Sequence, residues 1–304
     1  MKGLWPKTTL CPLIVNVILF EFLNKFLKEK ISMAVLPDKP FKLGTTSFIF
    51  PDHIIPNVKK LGAFFDEIEL LVFESMPEEV LPSKDDVKKL LELSQKLNLT
   101  YNIHLPIDVS LTCDDLKKRQ TSADMLLKVI DLFTPLAPST HTLHLDMPKG
   151  IKTDKGNLRQ LKDWEEKARQ GLGALVSGLS NPGIISVETL DYPFSLVETL
   201  VEEFKTSVCI DVGHQIKYGH NLLKTFEKHQ YRTSIMHLHG VDFSVPSGKD
   251  HTALDKLPEK HFRQVQFILE NFEGVVSIEV FNLENLNRSL AFLSKIFKNI
   301  APCV

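Results

Sequence analysis

The sequence lacks the features that mark several large classes of protein. Its four cysteines are scattered and none forms a CxxC pair, so neither a zinc ribbon nor a disulfide scaffold is indicated. It contains no GxGxxG turn and no Walker A motif, which disfavours a nucleotide-binding doubly wound sheet. Low-complexity tracts are also missing, and 43% hydrophobic with 24% charged residues is typical of a globular protein. The cysteine usage favours a reducing, cytoplasmic compartment.

A strong charge of either sign is missing as well. The 36 basic and 38 acidic residues give a formal net charge of -2. Outside residues 1–40 the balance is 30 basic against 35 acidic residues, so the remaining domain is mildly acidic. Because nucleic-acid binding depends mainly on neutralising phosphates, we expect no nucleic-acid partner.

Residues 1–40 differ from the rest of the chain. The apolar run Leu10–Phe20 is too short to span a membrane and is followed at once by Glu21. A secretory signal is one interpretation, but no A-x-A-like cleavage site follows the run. The other is an appended segment, or a start codon placed too early with Met33 as the true start. The sequence therefore predicts an N-terminal extension over 1–40, a single metal-binding domain over 41–304, and no association with a membrane.

From residue 43 onward, short aliphatic or β-branched runs alternate with amphipathic stretches. The runs are nearly continuous in apolar residues, as expected for parallel strands covered on the outside. Eight such units over about 260 residues predict an α/β fold, a closed (β/α)8 TIM barrel. The predicted strands are Leu43–Phe50, Ile68–Phe73, Thr100–Ile107, Thr140–Leu145, Ile184–Thr189, Val208–Asp211, Ser234–Leu238 and Val275–Val280.

Helix-period stretches separate these strands. Ser83 is predicted to cap a helix whose apolar residues include Val87 and Leu90, and Asp86 falls near the capping-box position. The other predicted helical stretches are Asp114–Phe133, Leu158–Leu179, Phe194–Phe204, Asn221–Lys228, Pro258–Phe272 and Leu286–Ile300.

Ionisable side chains recur near the ends of six consecutive predicted strands, the third to the eighth. The carboxyl ends of the strands are where a TIM barrel carries its catalytic residues. A single such residue is more often structural, but burying the whole set is costly unless something pairs the groups. A divalent metal pairs carboxylates with neutral imidazoles, so the pattern predicts metal binding. In chain order the residues are His104, His144, Glu188, Asp211, His237 and Glu279.

The sharpest set is Glu188, Asp211, His237 and Glu279, from the fifth to the eighth predicted strands. Three carboxylates and one imidazole suit zinc, manganese, magnesium or iron, with no choice among them. His239 lies on the same strand face as His237, so either is a candidate ligand.

Further residues extend this set to as many as three ions. His104 and His144 are candidates to hold a second ion with Glu188 as a bridge, and His214 and His251 a third. Glu74 is predicted to be a rim residue or a hydrogen-bond partner. Divalent ions serve hydrolysis by activating water and isomerisation by neutralising charge, so both classes of reaction remain open.

These residues resemble the xylose-isomerase-like barrel superfamily, which includes sugar epimerases and AP endonucleases of the endonuclease IV type. The resemblance runs from residue 41 to about residue 300. It implies that the sharpest set binds the metal, and the endonuclease branch adds histidines matched here by His104, His144 and His214. That branch also uses an Asp-x-His pair, whereas Asp250 and His251 are adjacent here, and His251 matches better than Asp250.

Within the superfamily the sequence is similar to the cobamide-remodelling phosphodiesterases. The similar segments are LGTTSFIFPDHI, ELLVFES, LTYNIHLPID and HLHGVDF, the last followed by KDHTAL. The resemblance implies a metal-dependent hydrolase that cleaves the lower nucleotide loop of a cobamide at the phosphoribosyl linkage. Glu188, Glu279 and His214 are the predicted catalytic residues, with one to three ions that we expect to be zinc or manganese before magnesium or iron.

Three alternatives remain open. A sugar isomerase or epimerase needs one metal and two carboxylates, which Glu188 and Glu279 could supply. An AP endonuclease fits the metal residues but not the acidic balance. A non-catalytic corrinoid or sugar binder is disfavoured because the carboxylates are intact. Both the hydrolase and the isomerase hypotheses predict a small-molecule substrate. The loops over 146–158 and 240–257 are expected to shape its site.

Overall fold

Eight parallel strands close into a barrel in the computed structural model, which describes residues 39–75, 80–151, 153 and 157–298. Each strand pairs with the next along the chain, and the last pairs with the first from Lys42 opposite Val275 onward. The predicted (β/α)8 architecture is confirmed. The barrel strands are β1 Lys42–Thr46, β2 Glu67–Leu71, β3 Thr100–His104, β4 His141–Leu143, β5 Ile185–Glu188, β6 Ser207–Asp211, β7 Thr233–Leu238 and β10 Val275–Ile278.

Helices cover the outside of the barrel. They are α1 Ile54–Leu61, α2 Lys84–Leu97, α3 Leu116–Phe133, α4 Leu158–Ser177, α5 Glu198–Glu203, α6 Val212–Lys217, α7 Leu222–His229, α8 Phe262–Glu270 and α9 Leu283–Lys298. The capping box predicted for α2 is present, with the Ser83 hydroxyl accepting from the Asp86 N–H and the Asp86 carboxylate accepting from the Ser83 N–H. The two short helices α1 and α6 were not predicted. Each begins soon after a strand, and α6 has only 6 residues, too few for a visible helical period.

Strand residues alternate between the outer apolar layer and the barrel interior. On β7, Met236 and Leu238 belong to the main core, whereas Ile235 packs with Cys209 and Val275 in a separate small cluster. Side chains two residues apart share a strand face, so His237 follows Ile235 towards the carboxyl end. On this strand the inward face is therefore apolar at Ile235 and ionisable at His237, nearer the carboxyl end.

The long segment between β7 and β10 contains structure that was expected to be loop. Strands β8 Gly240–Asp242 and β9 Lys249–Thr252 form an antiparallel pair outside the barrel. A Cβ atom on Gly240 would lie 1.9 Å from the Ala253 carbonyl oxygen, so this close crossing requires glycine. The prediction missed the pair because both strands are short and polar. Their effect is to return the chain, and with it His251, to the mouth of the barrel.

The N-terminal extension and the last residues of the chain lie largely outside the described residues. Of the predicted extension over 1–40, only residues 39 and 40 are described, so its status stays a prediction. Among the described residues, none of the helices combines the length and the apolar character that crossing a bilayer requires.

Candidate metal centre

Four side chains meet at the carboxyl end of the barrel, one from each of the last four barrel strands. Glu188 ends β5, Asp211 ends β6, His237 lies on β7, and Glu279 directly follows β10. All four are buried, and each offers a ligand atom within 4.8 Å of those of the others. His237 Nδ1 lies 3.3 Å from Glu279 Oε2 and 3.5 Å from Glu188 Oε1. The structure thus brings together the set that the sequence singled out.

A second group adjoins the first through Glu188. Its Oε2 atom lies 2.9 Å from His144 Nε2 and 3.5 Å from His104 Nε2. The other ring nitrogen of His104 lies 3.0 Å from the Leu105 carbonyl oxygen, where it can donate its proton and leave Nε2 free for a ligand. His144 directly follows β4. The backbone carbonyls of the next two residues accept hydrogen bonds, Leu145 from the Tyr192 hydroxyl and Asp146 from the Trp164 indole N–H. Glu188 therefore faces the two groups with different oxygens.

A third group consists of His214, His239 and His251, whose ring nitrogens also lie within 4.8 Å of one another. Asp211 connects this group to the first, because its carboxylate oxygens lie 3.1 Å from His239 Nε2 and 3.3 Å from His214 Nδ1. Asp211 also accepts the His214 N–H at 2.6 Å and so caps α6. The IDVGH motif thereby places an acid and an imidazole three residues apart beside the same cluster.

Gly213, within that motif, is required by the approach of His239. A Cβ atom on Gly213 would lie 2.0 Å from Cε1 of the His239 imidazole. Any other residue at this position would displace the ring. The third group therefore depends on a glycine that carries no functional group of its own.

The carboxylates and imidazoles shift one another's pKa strongly. Burial opposes charge on every group, but Glu188 overcomes it and raises the pKa of His144 to about 9. Asp211 likewise overcomes burial and raises the pKa of His239 to about 9. In the opposite direction, burial would raise the pKa of Glu279, but His237 and His251 hold it well below its usual range. Protons on His144 and His239 thus balance part of the buried carboxylate charge in the protein alone.

The donor set fits a divalent cation. His237 Nδ1 and Glu279 Oε2 are buried, face each other, and have no hydrogen-bond partner among the described residues. Leaving buried polar atoms unpaired is costly, and a cation between carboxylate and imidazole would satisfy both. Mixed oxygen and nitrogen donors suit zinc or manganese. Glu188, Asp211, His237 and Glu279 would hold one ion, and the two imidazole groups adjoin it.

Two contributors were missed or left open by sequence reasoning. Glu69, on β2, is fully buried, and its Oε1 lies 2.9 Å from His237 Nε2, while its Oε2 accepts from the Ser277 hydroxyl at 2.6 Å. No strand-end signal marks Glu69, because it lies in mid-strand. His239 and His237 were alternative candidates for one ligand position. The structure places both at the mouth of the barrel, His237 in the first group and His239 in the third.

Two doubtful residues lie at the periphery. Glu74 is exposed at the rim, beside a cavity between the loops that follow β1 and β2, which agrees with the rim alternative. Asp250 is bound by Lys217 at 2.6 Å and stays 3.9 Å from His214 Nε2, so the lysine occupies this carboxylate.

Solved structures of several sugar epimerases share this fold. A D-tagatose 3-epimerase-like protein has a TM-score of 0.71 at 18% identity, covering 86% of this chain and 98% of that one. The 3-keto-D-glucoside 4-epimerase YcjR of E. coli has a TM-score of 0.63 at 12% identity, covering 84% and 99%. The D-psicose 3-epimerase of Clostridium cellulolyticum H10 has a TM-score of 0.62 at 12% identity, covering 86% and 100%. At these identities the likeness concerns the fold.

Sequence comparison gives the family. No curated protein matches the chain. The family described as "Xylose isomerase-like TIM barrel" matches residues 55–296, which span most of the barrel and every residue of the three groups. The chain belongs to the xylose isomerase-like TIM barrel family.

Proposed function

We propose that the protein is a metal-dependent hydrolase of phosphodiesters. The observation that carries this proposal is the number of imidazoles: six surround three buried carboxylates, in three groups that share members or lie in contact. A single-metal isomerase needs one metal-binding set and leaves the two further histidine groups without a role. In phosphodiester hydrolysis, several adjoining ions would have a role, because they can bind both the attacking and the leaving oxygen.

The roles of the residues follow from their positions. A divalent ion bound here would lower the pKa of a water and neutralise charge on a phosphoryl oxygen. Glu188 would fix the spacing of the groups, because its Oε2 faces His104 and His144 while its Oε1 faces His237 and His214. His214, with 13% of its side chain exposed, is the most exposed of the three proposed catalytic residues and would exchange a proton with substrate.

We propose a cobamide as the substrate, following the sequence resemblance. The segments LGTTSFIFPDHI and ELLVFES, which carry that resemblance, form β1, β2 and the loops after them. A cavity of about 900 Å³ lies between these loops, in the range of small-molecule sites. A large substrate requires such room in addition to the metal centre.

A sugar epimerase is the second candidate. It is favoured by the epimerases among the structures that share the fold, and Glu188 and Glu279 both face the centre. Epimerisation would use these two carboxylates to move a proton at carbon, with a single ion between them.

Metal content and two activity assays separate the candidates. We expect two or three zinc or manganese ions per chain in protein purified without chelator, and hydrolysis of bis-p-nitrophenyl phosphate and of cobalamin. Glu188→Gln should lose the ions and the hydrolysis. Glu67→Gln, which removes another buried carboxylate of the same barrel, should keep both. One ion per chain together with interconversion of ketohexoses would overturn the hydrolase in favour of the epimerase.

A further inference from the structure

Three phenylalanines form an aromatic wall at the mouth of the barrel. Phe48, Phe73 and Phe281 follow the carboxyl ends of β1, β2 and β10, respectively. Their ring centroids lie 5.5 to 6.4 Å apart, and each pair meets edge to face. Since these three strands are neighbours in the closed barrel, the wall is continuous along one side of the mouth.

The aromatic wall touches the metal centre at one end. The Phe281 ring lies 4.9 Å from the ring of His251, whose Nδ1 is 3.6 Å from Glu279 Oε2. At its other end, Phe48 and Phe73 line the cavity of about 900 Å³ together with Ile54, Leu71 and Leu81. A molecule bound at the metal centre can therefore extend over phenylalanine rings into a largely apolar space.

Packing of the barrel alone does not account for this wall. Phe41, at the opposite end of β1, is 3% exposed and belongs to the core, whereas Phe48 is 44% exposed. An exposed aromatic ring beside a polar centre is typical of a binding site, where flat rings stack on aromatic side chains.

We propose that the aromatic wall binds a planar aromatic ring of the substrate while the phosphoryl group lies at the metal centre. This inference rests on the proposed hydrolase and narrows its substrate class to phosphodiesters that carry an aryl or heteroaromatic group next to the scissile phosphate. Because Phe48 is 44% exposed, part of its ring is free to contact a bound aromatic group.

Binding of simple phosphonates to the metal-loaded full-length protein tests the proposal without requiring turnover. Isothermal titration would compare phenylphosphonate with methylphosphonate and with cyclohexylphosphonate. We expect phenylphosphonate to bind about tenfold more tightly than either, which is about 1.4 kcal/mol, because only its flat ring can stack on the aromatic side chains. Phe48→Ala should remove most of this preference, and its partial exposure makes the variant compatible with folding.

A matched control is available on the outside of the barrel. Phe267, on α8, is 45% exposed, so Phe267→Ala removes the same surface ring far from the mouth and should leave the preference unchanged. Equal binding of the three phosphonates, or a preference that Phe48→Ala leaves intact, would overturn the aromatic site alone. If no phosphonate binds to metal-loaded protein, the phosphoryl-binding role fails, and the proposed hydrolase falls with the aromatic site.

Discussion

Replacing Glu69 with glutamine should weaken metal binding although Glu69 is not among the candidate ligands. The carboxylate oxygen Oε1 lies 2.9 Å from Nε2 of His237, and neither of these two facing atoms has a hydrogen-bond partner among the described residues. The opposite ring nitrogen, Nδ1, points at Glu188 and Glu279. A carboxylate on one nitrogen of a ligating histidine fixes the proton there and leaves the other nitrogen free for the metal.

The size of the effect follows from that arrangement. Losing such a partner typically costs 10- to 100-fold in metal affinity, which corresponds to about 1.4–2.8 kcal/mol. Glutamine keeps the shape of the side chain, and its carbonyl can still accept from Ser277, as Oε2 does now. Its amide nitrogen would then face His237 Nε2 and favour the tautomer that carries its proton on Nδ1. Glu69 is thus predicted to be a positioning residue that acts through His237.

The assay is competition for zinc or manganese against a chromophoric chelator, with thermal unfolding recorded in parallel. Glu67→Gln is the matched control, because Glu67 is equally buried on the same strand but is bound by Thr100, Asn102 and Ser139. We expect Glu67→Gln to change stability without changing metal affinity. Equal metal affinities in the wild type and Glu69→Gln, or equal losses in both variants, would refute the reasoning.

Two further predictions concern Gly213 and His141. Gly213→Ala should displace the His239 ring and lower the metal content by one ion per chain, whereas Gly173→Ala, in α4, should leave it unchanged; an unchanged content in both would contradict the role given to Gly213. Burial lowers the pKa of His141 to about 4. As the pH falls below 6.5, His141 is therefore protonated in the unfolded chain before it is protonated in the folded protein. The free energy of unfolding of the wild type should fall by up to about 3 kcal/mol by pH 4 relative to that of His141→Leu. Urea unfolding of both proteins at pH 7 and 4.5 measures that difference, and a difference that does not change with pH would contradict it.

The barrel was predictable from sequence because each strand carries its own signal. On β5, Ile185 and Val187 face the outer core while Ser186 and Glu188 are also buried, so the run is apolar enough to mark a covered strand. Six of the eight predicted strands extend past the observed ends, by one to four residues, as Leu43–Phe50 does beyond Thr46. Apolar residues such as Ile49 continue into the loop because the loop also packs on the core.

The candidate metal centre was partly predictable for the same reason. Residues that end strands meet at one mouth by the geometry of the barrel, so Glu188 and Glu279 could be placed together without a structure. The roles of Glu69 and Gly213 could not. Glu69 acts from the middle of a strand across the barrel, and Gly213 acts by having no side chain. Both contacts form only when β2, β7 and α6 are assembled.

The two buried glutamates on β2 differ in how many hydrogen bonds the protein donates to them. Glu67 receives hydrogen bonds from three neighbouring side chains, so its burial is compensated within the protein. Glu69, two residues further along the same face, receives one such bond and directs its other oxygen at His237. Beyond it, His237 Nδ1 and Glu279 Oε2 have no partner among the described residues. Hydrogen bonding by the protein thus diminishes from Glu67 towards the mouth, where His237 Nδ1 and Glu279 Oε2 are the unpaired atoms that a metal ion would bind.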